Sequence, residues 1–148
     1  MKHIKHKAFA YITHQQKLLV FSHPYDPASG IQVPAGTIEE GEAPEKAALR
    51  EAFEETGLTG FVLDRFLGEQ ERDMEDFGRE EIHHRYFYHL RYQGEPPTRW
   101  RHEERFSSDG SETHVFEFFW ATLPCDVPQL IADHDLMLPR LIELLGLA

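Results

Sequence analysis

The chain has a single cysteine, Cys125, in 148 residues. One thiol excludes an intrachain disulfide and offers no metal-ligand spacing, so neither a disulfide-stapled scaffold nor a structural zinc site is expected. Basic residues are also scarce: 15 Lys and Arg stand against 26 Asp and Glu, a formal net charge of −11. Surfaces that bind a nucleic-acid backbone are usually basic, so this balance argues against such a partner. It does not exclude small phosphorylated ligands, because a bound cation inverts the potential of an acidic site. No apolar run reaches spanning length, and the opening MKHIKHKAFAYI lacks the hydrophobic core and cleavage site of a secretory signal. The expectation is a cytoplasmic protein with no membrane partner. Repeats and low-complexity tracts are lacking too, and the length suits one domain over residues 1–148 that buries roughly two thirds of its unfolded surface.

What is present is concentrated between Gly36 and Leu58, GTIEEGEAPEKAALREAFEETGL. Residues three and four apart are neighbours on a helix, so Glu51 meets Glu54 and Glu55 one turn later, and all three carboxylates reach one small region. Like charges so placed repel, and only Arg50, four residues before Glu54, is suited to an intrahelical ion pair. Hard oxygen ligands with too few basic partners suit Mg²⁺ or Mn²⁺, which keep some water and take further ligands from substrate phosphates. Pro44 fits the first turn, Glu42 and Glu45 complement the positive end of the dipole, and Gly57 is placed for a left-handed C-cap. The spacing predicts a helix of about four turns with Ala48, Leu49, Ala52 and Phe53 toward the core and the carboxylates on the other face. Gly36 serves either a tight turn or the site, and Glu42 either the helix start or the site.

The segment resembles the Nudix box of the Nudix hydrolases through Gly36, Glu42, Arg50, Glu51, Ala52, Glu54, Glu55, Gly57 and Leu58, with Ala52 smaller than the usual aliphatic residue. The resemblance implies a Nudix-fold α/β/α sandwich with a mixed sheet. It implies hydrolysis of a nucleoside diphosphate linked to a group X, by water attacking phosphorus, with Mg²⁺ or Mn²⁺ as cofactor. By the same resemblance Glu51 and Glu55 are metal ligands, and Glu54 is a third ligand or a general base oriented by Arg50. The alternative is a catalytically silent nucleotide-binding module of the same fold; a homodimer is compatible with either. Gln32-Val33-Pro34-Ala35-Gly36 is similar to the segment before the box in ADP-sugar hydrolases, yet the proline often found beyond their box is absent. A nucleoside triphosphate and a nucleotide sugar both stay open as substrates.

Outside the box, alternation and turn residues predict strands at His6 to Thr13, Lys17 to Ser22, Ile31 to Val33, Leu63 to Gln70, His83 to Tyr92, Thr98 to Phe106 and Thr113 to Leu123. A turn is expected at Ser107-Ser108-Asp109-Gly110, a mobile acidic loop or strand edge over residues 69–81, and a helix, broken near Pro139, over Pro128 to Leu145. An additional carboxylate for the site is sought among Glu103, Glu104, Glu112 and Glu117, or in the loop at Glu75 and Asp76; each is more simply a solvated surface group. Phe77 and Trp100 are candidates for contact with a nucleobase, while Phe116, Phe118, Phe119 and Trp120 suit the core. His83 and His84, adjacent in a strand, point to opposite faces and do not suit shared ligation.

Overall fold

The computed structural model describes residues 1–105 and 113–147. Its centre is a seven-stranded mixed sheet: β1 (His3–His14), β2 (Lys17–Ser22), β3 (Ala35–Thr37), β4 (Phe61–Asp73), β5 (Glu81–Tyr92), β6 (Arg99–Arg105) and β7 (Thr113–Thr122). The order is β4-β5-β1-β2-β7-β6, with β3 added to β1. The parallel β1–β5 pair runs from His3↔Glu81 to Thr13↔Arg91, while β1 meets β2 only near the hairpin and β3 only at Lys7 to Phe9. This leaves β3 beside Lys7 to Phe9 of β1, on the side opposite β5, and it delivers the chain toward α1 (Pro44–Thr56).

Alternation along β1 divides the interior into two cores. Ala8, Ala10 and Ile12 pack toward α1 with Ala47, Ala48 and Ala52, whereas Phe9 and Tyr11 face the other side with Leu141 of α2 (Leu138–Leu144). Period-two side chains on a sheet with a helix on each face give the α/β/α sandwich. Among the described residues no helix is long and apolar enough to cross a membrane.

Several expected elements move. The short strand expected at Ile31 to Val33 is reduced to single bridges, Phe21↔Gln32 and Ile31↔Leu130, and the strand proper is Ala35–Thr37. Residues 69–81 are not one loop: β4 continues to Asp73, a 3₁₀ turn occupies Glu75–Phe77, and β5 begins at Glu81. The C-terminal helix starts only at Leu138, because Ala132 and Asp133 adopt positive φ and Pro139 lies in the first turn rather than at a break. The turn expected at Ser107 to Gly110 and the candidate Glu112 lie outside the described residues.

Candidate functional site

The helix α1 ends as its sequence requires. Gly57 sits at φ 74° and its N–H donates to the Phe53 carbonyl. At about 100° per residue, however, Glu51 and Glu55 both fall between Ala47 and Ala48 on the helix surface. The carboxylates therefore share the inward face with the alanines: Glu51 and Glu55 are buried along with Ala47, Ala48 and Ala52, while Phe53 is half exposed. The expectation of a core face opposite a chemical face is corrected. Alanines provide the close approach that lets glutamates reach β1 and β3.

Three features hold this inner face. Glu55 accepts the Ala35 N–H at 3.1 Å, tying helix to β3. A Cβ on Gly36 would overlap the Glu51 carboxylate, so glycine is required there for space rather than for a positive φ. Arg50 donates from Nε and Nη2 to the two oxygens of Glu42, at 2.8 and 2.9 Å, and from Nη1 to Glu51 and Glu54, at 2.8 and 3.1 Å. Its Nη2 also reaches the Thr37 carbonyl at 3.0 Å. These hydrogen bonds, with one from the Glu39 amide, hold the Glu42 carboxyl down at about 2. Glu42 is thus an organiser of the site.

Of the candidate extra carboxylates among the described residues, Glu104 is the one that the fold brings to Glu51 and Glu54. One oxygen each from Glu51, Glu54 and Glu104 lies within 4.8 Å of the others. The placement comes from β6, where Trp100, His102 and Glu104 alternate onto one face. Trp100 Nε1 donates to the Thr56 carbonyl at 3.0 Å, and His102 Nε2 lies 3.0 Å from the Glu54 carbonyl. Both side chains satisfy last-turn carbonyls of α1 and bring Glu104 alongside. Neighbouring Glu103 is exposed, and Glu117 is paired with Arg99 and Arg101 on the surface. Glu75 is exposed as well, and Asp76 pairs with Arg72 at 2.9 Å.

Burial raises the Glu51 carboxyl above its ordinary value and the Glu55 carboxyl well above it, with Glu51 and Glu104 adding to the effect on Glu55. Burial, with Glu51 and Glu54 beside it, pushes Glu104 up to about 7. Its Oε2 is buried without a hydrogen-bond partner among the described residues. An orphaned carboxylate oxygen facing two more carboxylates is a donor set that fits a hard divalent cation.

A cavity of about 450 Å³ opens on the α2 side of the sheet, with Ala35 and Gly36 of β3 in its wall. Phe77 lines it and lies beneath the Arg72 guanidinium, 5.2 Å from the ring centroid. Trp100 does not line it; its ring stacks on Phe118 at 5.0 Å. Of the two aromatic candidates, the fold brings only Phe77 to this cavity.

The NUDIX domain model matches residues 4–132. The chain belongs to the NUDIX family. Solved structures of the family share its fold. A NUDIX hydrolase from Nitrosomonas europaea aligns with 26% identity and TM-score 0.53, over 63% of this chain and 62% of its own length. The MutT NUDIX hydrolase of Burkholderia pseudomallei aligns with 22% identity and TM-score 0.62, over 93% and 98%. The NUDIX domain of Shewanella oneidensis NrtR, solved with ADP-ribose, aligns with 21% identity and TM-score 0.60, over 98% and 89%. No curated protein matches the chain.

Proposed function

We propose that this NUDIX hydrolase is a Mg²⁺- or Mn²⁺-dependent pyrophosphohydrolase that cleaves a nucleoside diphosphate linked to a group X by water attack on phosphorus. The observation that carries the reading is the meeting of Glu104 with Glu51 and Glu54 beside the wall of a substrate-sized cavity. Glu51, Glu54 and Glu104 would hold the cation, and Glu55, the further ligand that the resemblance implies, also accepts the Ala35 N–H and fixes β3. When bound, the cation neutralises charge on the phosphoryl oxygens and the leaving phosphate.

The chain's own groups supply positioning and proton transfer. Glu54, exposed at the helix surface, or Glu104 accepts the proton of the attacking water, and Arg50 keeps Glu51 and Glu54 aimed at the same point. No covalent nucleophile is needed. Gly36 of β3, against which the Glu51 carboxylate lies, also lines the cavity, which would take the remainder of the substrate. The ADP-ribose complex of the NrtR domain supports a nucleoside diphosphate derivative as the substrate class. A cytoplasmic setting agrees with the one exposed free thiol, Cys125.

The test is a panel of nucleoside triphosphates, nucleotide sugars and dinucleotides, incubated with and without Mg²⁺ or Mn²⁺ while release of nucleoside monophosphate or phosphate is followed. Metal-dependent cleavage that collapses in Glu51→Gln and in Glu104→Gln is expected. Binding without cleavage of any compound would leave a sensing module as the correct description.

A further inference from the structure

The chain carries 15 basic side chains against 26 acidic ones, yet Arg85 is buried at 1% exposure with no carboxylate in ion-pair range among the described residues. Arginines nearby are paired: Arg72 with Asp76 and Asp133, each at 2.9 Å, and Arg79 with Glu81 at 4.0 Å. Arg85 instead lies over the Phe9 ring, 4.8 Å from its centroid, and donates from Nη1 to the Ala132 carbonyl at 2.6 Å. Its Nε is buried without an acceptor among the described residues. Burying an unpaired charge is costly, and a planar guanidinium fork is suited to an oxyanion.

Two residues earlier on the same face of β5 is His83, also buried. Its Nε2 is 3.1 Å from Glu81, which fixes the ring proton there and makes Nδ1 an acceptor. That Nδ1 is likewise buried without a partner among the described residues, and burial keeps the ring below its ordinary value. Both side chains line the 450 Å³ cavity, together with the cations Lys7 and Arg79. Asp26 is its one acidic lining residue among those described. The cavity therefore has an unmet need for a negative group and for a hydroxyl donor.

We propose that Arg85 and His83 form an anion subsite in this cavity, separate from the carboxylate cluster, that selects substrates whose group X carries an oxyanion with a hydroxyl on or beside it. The proposal deepens the pyrophosphohydrolase reading and rests on it for the word substrate, but the subsite itself binds without turnover. A phosphoryl group and a hydroxycarboxylate share the required chemistry.

The experiment is thermal unfolding of the full chain in EDTA, titrated separately with inorganic phosphate and with glycolate. Without a cation the carboxylates repel anions, so the cavity is read alone. At a hundredfold excess over Kd the wild type is expected to gain about 5–10 °C in Tm with at least one probe, and the probe that works identifies the source of the oxyanion. Glu51→Gln, silent in hydrolysis, is expected to keep this gain, and Arg85→Met to lose it. Arg85→Lys, which keeps the charge and folds if the methionine variant does not, is expected to bind about tenfold more weakly for want of the fork. A wild type that responds to neither probe overturns the proposal. So does an Arg85→Met or Arg85→Lys variant with wild-type affinity, or a gain that disappears in Glu51→Gln.

Discussion

Arg50 and Glu42 are locked by two parallel hydrogen bonds, Nε to Oε2 at 2.8 Å and Nη2 to Oε1 at 2.9 Å, across eight residues of sequence. The loop before α1 is thereby fastened to the helix surface, and the remaining Arg50 nitrogen is free to steer Glu51 and Glu54. A planar fork performs this, and a lysine ammonium cannot reproduce it.

Arg50→Lys should therefore keep the fold but lose roughly 10²-fold in kcat, since small misplacements of catalytic groups cost about that much. Circular dichroism and steady-state kinetics on the best substrate check it. A variant with near wild-type kcat would show that Arg50 does not organise the carboxylates.

Gly36→Ala tests the space kept for Glu51. The added methyl overlaps the carboxylate, so Glu51 must turn away or β3 must shift. Overpacking of this kind costs about 1–3 kcal/mol, and the larger loss is expected in Mg²⁺ affinity, read by titration calorimetry. Unchanged metal binding would contradict the geometry.

Glu104 should give the metal-free protein a pH-dependent stability. Its carboxyl is held at about 7 in the fold against an ordinary 4.5, so between these values the folded chain binds more protons than the unfolded chain. Stability then falls as pH rises through this window, by about 2–3 kcal/mol for this group. In EDTA, Glu104→Gln should match the wild type at pH 4.5 and exceed it at pH 8 in Tm. Parallel pH profiles for the two proteins would refute the shift.

Phe77 and Trp100 should separate in their effects. Phe77→Ala is expected to raise KM, because the ring lines the cavity. Trp100→Phe removes the Nε1 donor to the Thr56 carbonyl that docks β6 on α1. It should lower kcat through Glu104 and reduce stability by about 1 kcal/mol while KM stays put. A Trp100→Phe variant altered only in KM would place the indole against substrate instead.

Much of the candidate site was legible from residue types at helical spacing. The Arg50–Glu54 pair, the Gly57 cap and the burial of Phe116 and Phe118 all depend on local geometry, and each is found. Phe53 lies off the inner face because four-residue spacing, and not hydrophobicity, sets that face and places Glu51 and Glu55 among the alanines. Glu104 could not be singled out among its acidic neighbours by type. The available signal was its alternation with Trp100 and His102, which becomes decisive only when β6 lies against α1.

Sequence alone determined the box helix, its caps, its cluster of carboxylates and the acidic balance that makes a cation the natural companion of a phosphate. These follow from interactions within one or two turns. Tertiary structure decided which glutamate from outside the box joins the cluster, that Trp100 serves docking, and that Arg85 is left buried beside a cavity with no acidic partner among the described residues. Partners far apart in sequence meet only through strand order and register, and burial, which sets both the Glu104 shift and the cost of an unpaired Arg85, exists only once the sheet and its two helices have closed over them.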